Sequence, residues 1–170
     1  MIVDRPFEDN SWVKTDLVMA PLHAQNAFEA ITLLGSRLYA AGYVRESFVS
    51  AVIEREKKFA TGLPTVGIQV AIPHTDVEHV LRDGIAVGVL DSPVTFGEMG
   101  NPEGTVEAQI ICLLAATRAD QVVTLLQNLA DMFQNPEALQ QIVAAKDVAR
   151  IAAIFNSHLR GFLKSGKIAA

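Results

Sequence analysis

The sequence has a single cysteine, Cys112, in 170 residues. One thiol cannot close a disulfide within the chain, which fits a reducing compartment. Its setting in the apolar run "QIICLLA" points to a buried structural thiol rather than a reactive one. No apolar stretch approaches the ~20 residues that a membrane-spanning helix requires. The opening "MIVDRPFEDN" also lacks the basic region and apolar core of a signal peptide. These features lead us to expect a soluble, cytoplasmic protein. Basic residues are few, 14 Lys and Arg against 19 Asp and Glu, for a net charge of −5. With no Lys/Arg cluster to offset it, that balance argues against a nucleic-acid surface.

Several chemistry-bearing motifs are missing as well. There is no G-x-x-x-x-G-K loop and no G-x-G-x-x-G fingerprint, so nucleotide binding has no support. There is no G-x-S-x-G elbow and no cysteine at a strand-to-helix turn, which removes the common hydrolase triads. His74, Asp76 and His79 could in principle ligate a metal. However, H-x-D-x-x-H in a loop is not a recognised ligand spacing, and no further Cys/His cluster completes a tetrahedron. We expect neither a metal nor a cofactor.

What is present is a core. Half of the residues are hydrophobic, and a chain of this length buries roughly 70% of its unfolded surface, so a single domain over residues 1–170 is expected. No internal repeat, low-complexity linker or shift in composition marks a second one. "DLVMAPL" suggests a short edge strand. Asn26 and Glu29 form an N-x-x-E helix start, after which Ala27, Ile31, Leu34, Leu38 and Ala41 trace one helical stripe ending at Gly42. A second helix is predicted over about residues 45–60, with Val44, Phe48, Val52 and Phe59 inward and "EREKK" solvated. "TGLPT" reads as a loop. Buried strands are predicted at "VGIQVAI" (66–72), "GIAVGVL" (84–90) and "VEAQIICLLA" (106–115), with "DSPVTFGEMGNPEG" (91–104) as a connection that could hold a short strand at "VTF". The last third is helical, with "TRAD" (117–120), Asn135-Pro136 and Asp147 as helix starts. The pattern predicts an α/β sandwich, a central mixed β-sheet with helices on both faces, without revealing the strand order.

Of the four histidines, His23 and His158 have no visible constellation around them. His74, in "AIPHTD", differs by position. Pro73 fixes its own φ and biases Ile72 toward extended geometry, so the chain enters His74 stiffly, where a strand meets a loop. A neutral imidazole held through one nitrogen can attack through the other. With nucleotide, metal and triad motifs absent, histidine acting as its own nucleophile remains, and phosphate is the group it is best suited to carry.

The neighbourhood sharpens this reading. "EREKKFATGLPTVGIQVAIPHTD" (54–76) resembles the active segment of the enzyme IIA components of the fructose–mannitol class, in the bacterial phosphoenolpyruvate-dependent sugar phosphotransferase system. The matching residues are Arg55 and Glu56 near a helix end, Thr61 and Gly62 in the following loop, and Ala71, Pro73 and His74 at a strand end. The resemblance extends over most of residues 15–160, through the opening helix pair, "PVTFGEMG", "AQIICLLAA" and "QVVTLLQNLADMF". Together "TGLP", "AIPHTD" and "PVTFGEMG" look most like the galactitol-specific branch. Many members carry a second histidine at the start of the helix after the last core strand; Gln121 occupies that position here.

The resemblance implies a relay in which HPr donates a phosphoryl group to His74 and a cysteine of the cognate IIB component accepts it. IIB then phosphorylates a polyol or sugar during uptake through the membrane IIC component. His74 would attack through Nε2, with Nδ1–H held by a carbonyl. Arg55 would stabilise the phosphoryl charge, because its fork matches phosphate oxygens. Thr61, Gly62 and Gln121 would offer hydroxyl, backbone or amide donors to it. Asp76 and His79 would only line the rim, and Glu56 would pair with a lysine. Leu63, Val66 and Val122 are candidates for an apolar docking patch. The alternative is a regulatory phosphoacceptor, as in the nitrogen-related branch of the same family.

Overall fold

A computed structural model of the chain describes residues 11–168, with side chains as far as Leu159. The first ten residues, read above for a signal peptide, lie outside the described part. Ten elements follow in order: β1 (Val18–Leu22), α1 (Ala27–Ala40), α2 (Phe48–Lys58), β2 (Gly62–Leu63), β3 (Gln69–Ala71), β4 (Gly84–Glu98), β5 (Asn101–Ala115), α3 (Ala119–Phe133), α4 (Pro136–Ala144) and α5 (Val148–Ile168). The five strands form one mixed sheet, with helices on both of its faces.

Strand alternation sorts the apolar side chains into two cores, because successive residues of a strand point to opposite faces. On one face Ile85, Val87 and Val89 of β4 and Ile110, Cys112 and Leu114 of β5 pack with α3, α4 and α5. On the other, Ala86 and Leu90 of β4 and Ile111, Leu113 and Ala115 of β5 pack with α1 and α2. Cys112 is fully buried, which pushes its thiol well above the ordinary range, so it is no nucleophile.

The helix starts at Asn26, Asn135 and Asp147 behave as expected. The Asn26 side chain accepts from Glu29 N–H at 2.9 Å, and Glu29 reaches back to Gln25 N–H at 3.0 Å. Gly42 follows α1 at φ +82°, a left-handed conformation in which a side chain would be strained. "TRAD" is different. Thr117 turns its N–H and hydroxyl back to Asp83, at 2.7 and 3.0 Å, so it cannot cap α3. Arg118 stands at the N-cap without a side-chain capping bond.

The stretch 91–104 is no mere connection. It completes a long antiparallel ribbon of β4 and β5, turning at Met99–Gly100. Pro93 sits where the register shifts between Val89 and Val94, a bulge that spares the ladder a missing donor. The expected strand over 66–72 shortens to Gln69–Ala71, since Gly67 at φ +78° turns the chain just before it.

Two short strands complete the sheet. β2 pairs antiparallel with β3 and, through Gly62 and Glu98, parallel with the far end of β4. A Cβ on Gly62 would come within 2.4 Å of Val106 and 2.5 Å of the Gly97 carbonyl, so glycine is needed for this approach. β3 runs parallel to β5, with Ala71 opposite Ile111. The loop after β3 and the turn into α3 therefore leave the same end of the sheet.

Candidate functional site

That shared end is where His74 lies. Ile72 N–H donates to the Thr61 carbonyl at 3.2 Å, and the Pro73 carbonyl accepts from Leu114 N–H at 3.1 Å. The dipeptide before the histidine is thus anchored to the residue preceding β2 on one side and to β5 on the other. His74 itself is 8% exposed, and its Nδ1 lies 2.9 Å from the Ile72 carbonyl. A carbonyl can only accept, so Nδ1 carries the proton and Nε2 the lone pair. Nε2 makes no hydrogen bond to another described residue. Burial lowers the His74 pKa below its ordinary value, and the Arg55 charge acts in the same direction; the Ile72 carbonyl and Asp76 oppose them. The shift favours the neutral ring, with one nitrogen fixed and the other available.

Arg55 approaches from the last turn of α2. Its guanidinium stacks over the Phe59 ring at 5.4 Å, and its Nη1 lies 3.8 Å from Asp76 Oδ1. Its Nε is buried without a hydrogen-bond partner among the described residues. Buried donors are rarely left unpaired, so this atom suits an acceptor that the described residues do not supply. Phe59, expected inward, is 64% exposed and serves as the platform beneath Arg55. The helical stripe could not show this, because α2 ends at Lys58 and the residue after it turns away.

Glu56 corrects an expectation. It does not pair with a lysine and is not solvated; its carboxylate is buried and accepts from Thr61 N–H at 2.8 Å and from Thr61 Oγ1 at 2.9 and 3.1 Å. Burial raises its pKa above 4.5, with the Thr61 bonds and Arg55 pulling the other way. The donors of Thr61 are therefore committed to Glu56, and Thr61 is not placed to offer them to a phosphoryl group. Its contribution is to hold the loop whose carbonyl anchors Ile72. The signal was present in the sequence as Glu56 five residues before Thr61, but burial of one carboxylate within "EREKK" has no one-dimensional signature.

Gln121 lies in the first turn of α3, at the same end of the sheet, and its Oε1 is buried without a partner among the described residues. An amide oxygen and nitrogen are interchangeable by a flip, so the group can present N–H there instead. The outlying histidines are accounted for elsewhere. His79 Nδ1 lies 2.7 Å from Ser47 Oγ, His158 Nδ1 lies 2.9 Å from the Ile154 carbonyl, and His23 pairs with Asp91 at the surface. No group of three His, Cys, Asp or Glu able to hold a metal occurs among the described residues. Of the proposed docking residues, Val66 is 77% exposed, whereas Leu63 and Val122 pack partly buried against the α3–α5 core.

Residues 11–158 match the family described as "Phosphoenolpyruvate-dependent sugar phosphotransferase system, EIIA 2". The mannitol-specific phosphotransferase enzyme IIA component of Bacillus subtilis is 32% identical over 131 residues, covering 75% of this chain and 85% of that protein. The mannitol-specific EIICBA component of Vibrio cholerae is 30% identical over 136 residues, 78% of this chain; the chain spans only 20% of that longer protein. Among solved structures, the complex of enzyme IIA of the mannitol system with phosphorylated enzyme IIB from Escherichia coli superposes with a TM-score of 0.69 at 24% identity, covering 84% of this chain and 96% of that one. That likeness concerns the fold. No helix among the described residues is long and apolar enough to cross a membrane.

Proposed function

Because the chain belongs to the phosphoenolpyruvate-dependent sugar phosphotransferase system EIIA 2 family, we propose that it is a phosphocarrier. His74 accepts a phosphoryl group from phospho-HPr and passes it to a cysteine of a IIB component. A IIC component then couples the transfer to uptake of a polyol. The observation that carries this reading is the buried imidazole held through Nδ1 by the Ile72 carbonyl, its neutral form favoured by burial and by the Arg55 charge. Phosphoryl transfer asks a protein mainly for positioning and for stabilising charge spread over three oxygens, and the held imidazole and the Arg55 guanidinium support both. In acceptance, the Nε2 lone pair forms the bond to phosphorus as the donor's bond to phosphorus breaks and its electron pair returns to the donor. The proton stays on Nδ1, donated to the Ile72 carbonyl, throughout.

Arg55 offers the fork and the unpaired Nε, and Gln121 offers an amide where a second cation would otherwise stand. Arg55→Gln is expected to slow acceptance about 100-fold, with Arg55→Lys keeping part of the rate, since a point charge replaces a bidentate fork. Rapid-quench measurement of transfer from phospho-HPr checks this, and equal rates for all three proteins would remove Arg55 from the site.

The substrate reading favours a mannitol-type polyol. The relatives named above are mannitol-specific, and the likeness to the galactitol branch finds no support among them. A purely regulatory role is less favoured for the same reason. The complex named for the Escherichia coli proteins supports IIB as the acceptor. The direct test is incubation with phosphoenolpyruvate, enzyme I and HPr, followed by intact-mass measurement and addition of a mannitol-type IIB. One phosphoryl group taken up and then passed on supports the relay; uptake without transfer to any IIB would favour the regulatory reading.

A further inference from the structure

Asp76 stands two residues after His74 at the start of a 3-10 turn, Val77–His79. Aspartate at such a position ordinarily bonds the backbone N–H groups that follow, yet its side chain makes no capping bond. It faces Arg55 instead, with Oδ1 3.8 Å from Nη1, beyond hydrogen-bond length but within ion-pair reach. The pair is loose on both sides. The Asp76 side chain is 75% exposed and can swing into water at little cost, while the Arg55 side chain is 37% exposed and steadied by Phe59.

From this geometry we infer that Asp76 is a stand-in anion: it pairs with Arg55 while His74 is unmodified and is displaced from Arg55 when the phosphoryl group arrives. The inference rests on the phosphocarrier reading above and deepens it. Arg55 has one fork and two competing anions. A phosphoryl group on Nε2 brings more charge and more acceptors than a single carboxylate, so it takes the fork. The Arg55–Asp76 contact then exists only in the unmodified state, and whatever it contributes favours that state. Asp76 is left facing a phosphoryl group of like charge, which acts in the same direction. The residue thereby raises the tendency of His74 to hand its phosphoryl group on. The opposite electrostatic effects of Arg55 and Asp76 on the His74 imidazole show that both charges reach the ring. Asp76 acts through Arg55, so it is a positioning residue rather than a catalytic one.

The test is the ratio of phosphorylated to free His74, read by intact mass at a fixed phosphoenolpyruvate-to-pyruvate ratio with enzyme I and HPr present. Exposed ion pairs set the scale, so Asp76→Asn should raise that ratio about two- to fivefold and slow transfer to IIB by a similar factor. Asp76→Glu, which restores the charge, should return both towards wild type, a rescue that a merely structural role would not show. In an Arg55→Gln background, Asp76→Asn should change the ratio much less. Thermal unfolding of each variant separates loss of fold from loss of charge. An unchanged ratio in Asp76→Asn, in a wild type that does take up the phosphoryl group, overturns this inference and leaves the phosphocarrier reading standing. An effect that persists in full without Arg55 overturns the exchange and assigns the effect to direct repulsion. A wild type that takes up no phosphoryl group overturns both readings.

Discussion

His74→Ala is expected to abolish phosphoryl uptake from phospho-HPr, by at least about 10³-fold, because no other described group is placed as its substitute nucleophile. Cys112 is fully buried, and the remaining histidines lie in other surroundings, with Ser47, Ile154 and Asp91 as their partners. The loss should not be one of folding. The substitution removes one buried bond to the Ile72 carbonyl, about 1 kcal/mol, while the anchors of Ile72 to Thr61 and of Pro73 to Leu114 are backbone contacts that alanine leaves intact. Intact-mass measurement after incubation with the donor system, beside a melting curve, checks both halves. Label that persists in a folded His74→Ala protein would show that the phosphoryl group sits elsewhere.

The second large effect belongs to Glu56. Glu56→Ala leaves Thr61 N–H and its hydroxyl without their buried acceptor and should cost about 3 kcal/mol of stability, seen by denaturant unfolding. Glu56→Gln keeps one oxygen for those donors and should cost less. The pH dependence carries its own sign. Glu56 has a folded pKa raised above its unfolded value of 4.5, so between the two the folded state binds the extra proton. The contribution of this group is fully present below 4.5 and declines as pH rises through the folded pKa. Glu56→Gln should remove that decline from the stability curve. If wild type and variant show the same slope there, the carboxylate is not buried as described. Acceptance at His74 should slow in Glu56→Ala as well, since the Thr61 carbonyl that anchors Ile72 loses the clip holding its loop.

Glu56 also shows where one-dimensional reading stops. "EREKK" is a charged helix end by composition, and three of its neighbours in sequence do face solvent, as Glu54, Lys57 and Lys58 show. One carboxylate turns inward because Thr61, five residues on, supplies two donors to it. Phe59 turns outward for a related reason: the helix ends before it, and Arg55 stacks on its ring. The sequence places Asp76 only at the rim, because nothing in "PHTD" reveals that α2 brings an arginine to it. The sequence breaks the ribbon of β4 and β5 at Asp91 for the opposite reason, since Pro and Gly read locally as breakers while a bulge and a two-residue turn accommodate them.

Some properties were determined by the order of residues alone. The near-unbroken apolar runs "GIAVGVL" and "AQIICLLA" point to strands buried on both faces, the Asn26 box and Asn135-Pro136 place helix starts, and "AIPHTD" sets a stiff histidine at a strand end. These follow from contacts within a few residues, which sequence encodes directly. Tertiary structure decided the rest: that β3 lies parallel to β5, which brings His74 and Gln121 to one end of the sheet; that Glu56 is clamped by Thr61; and that Arg55 comes within ion-pair reach of Asp76. Each of these depends on which strands pair and on which groups lose water when they do, and both are settled only when distant segments meet.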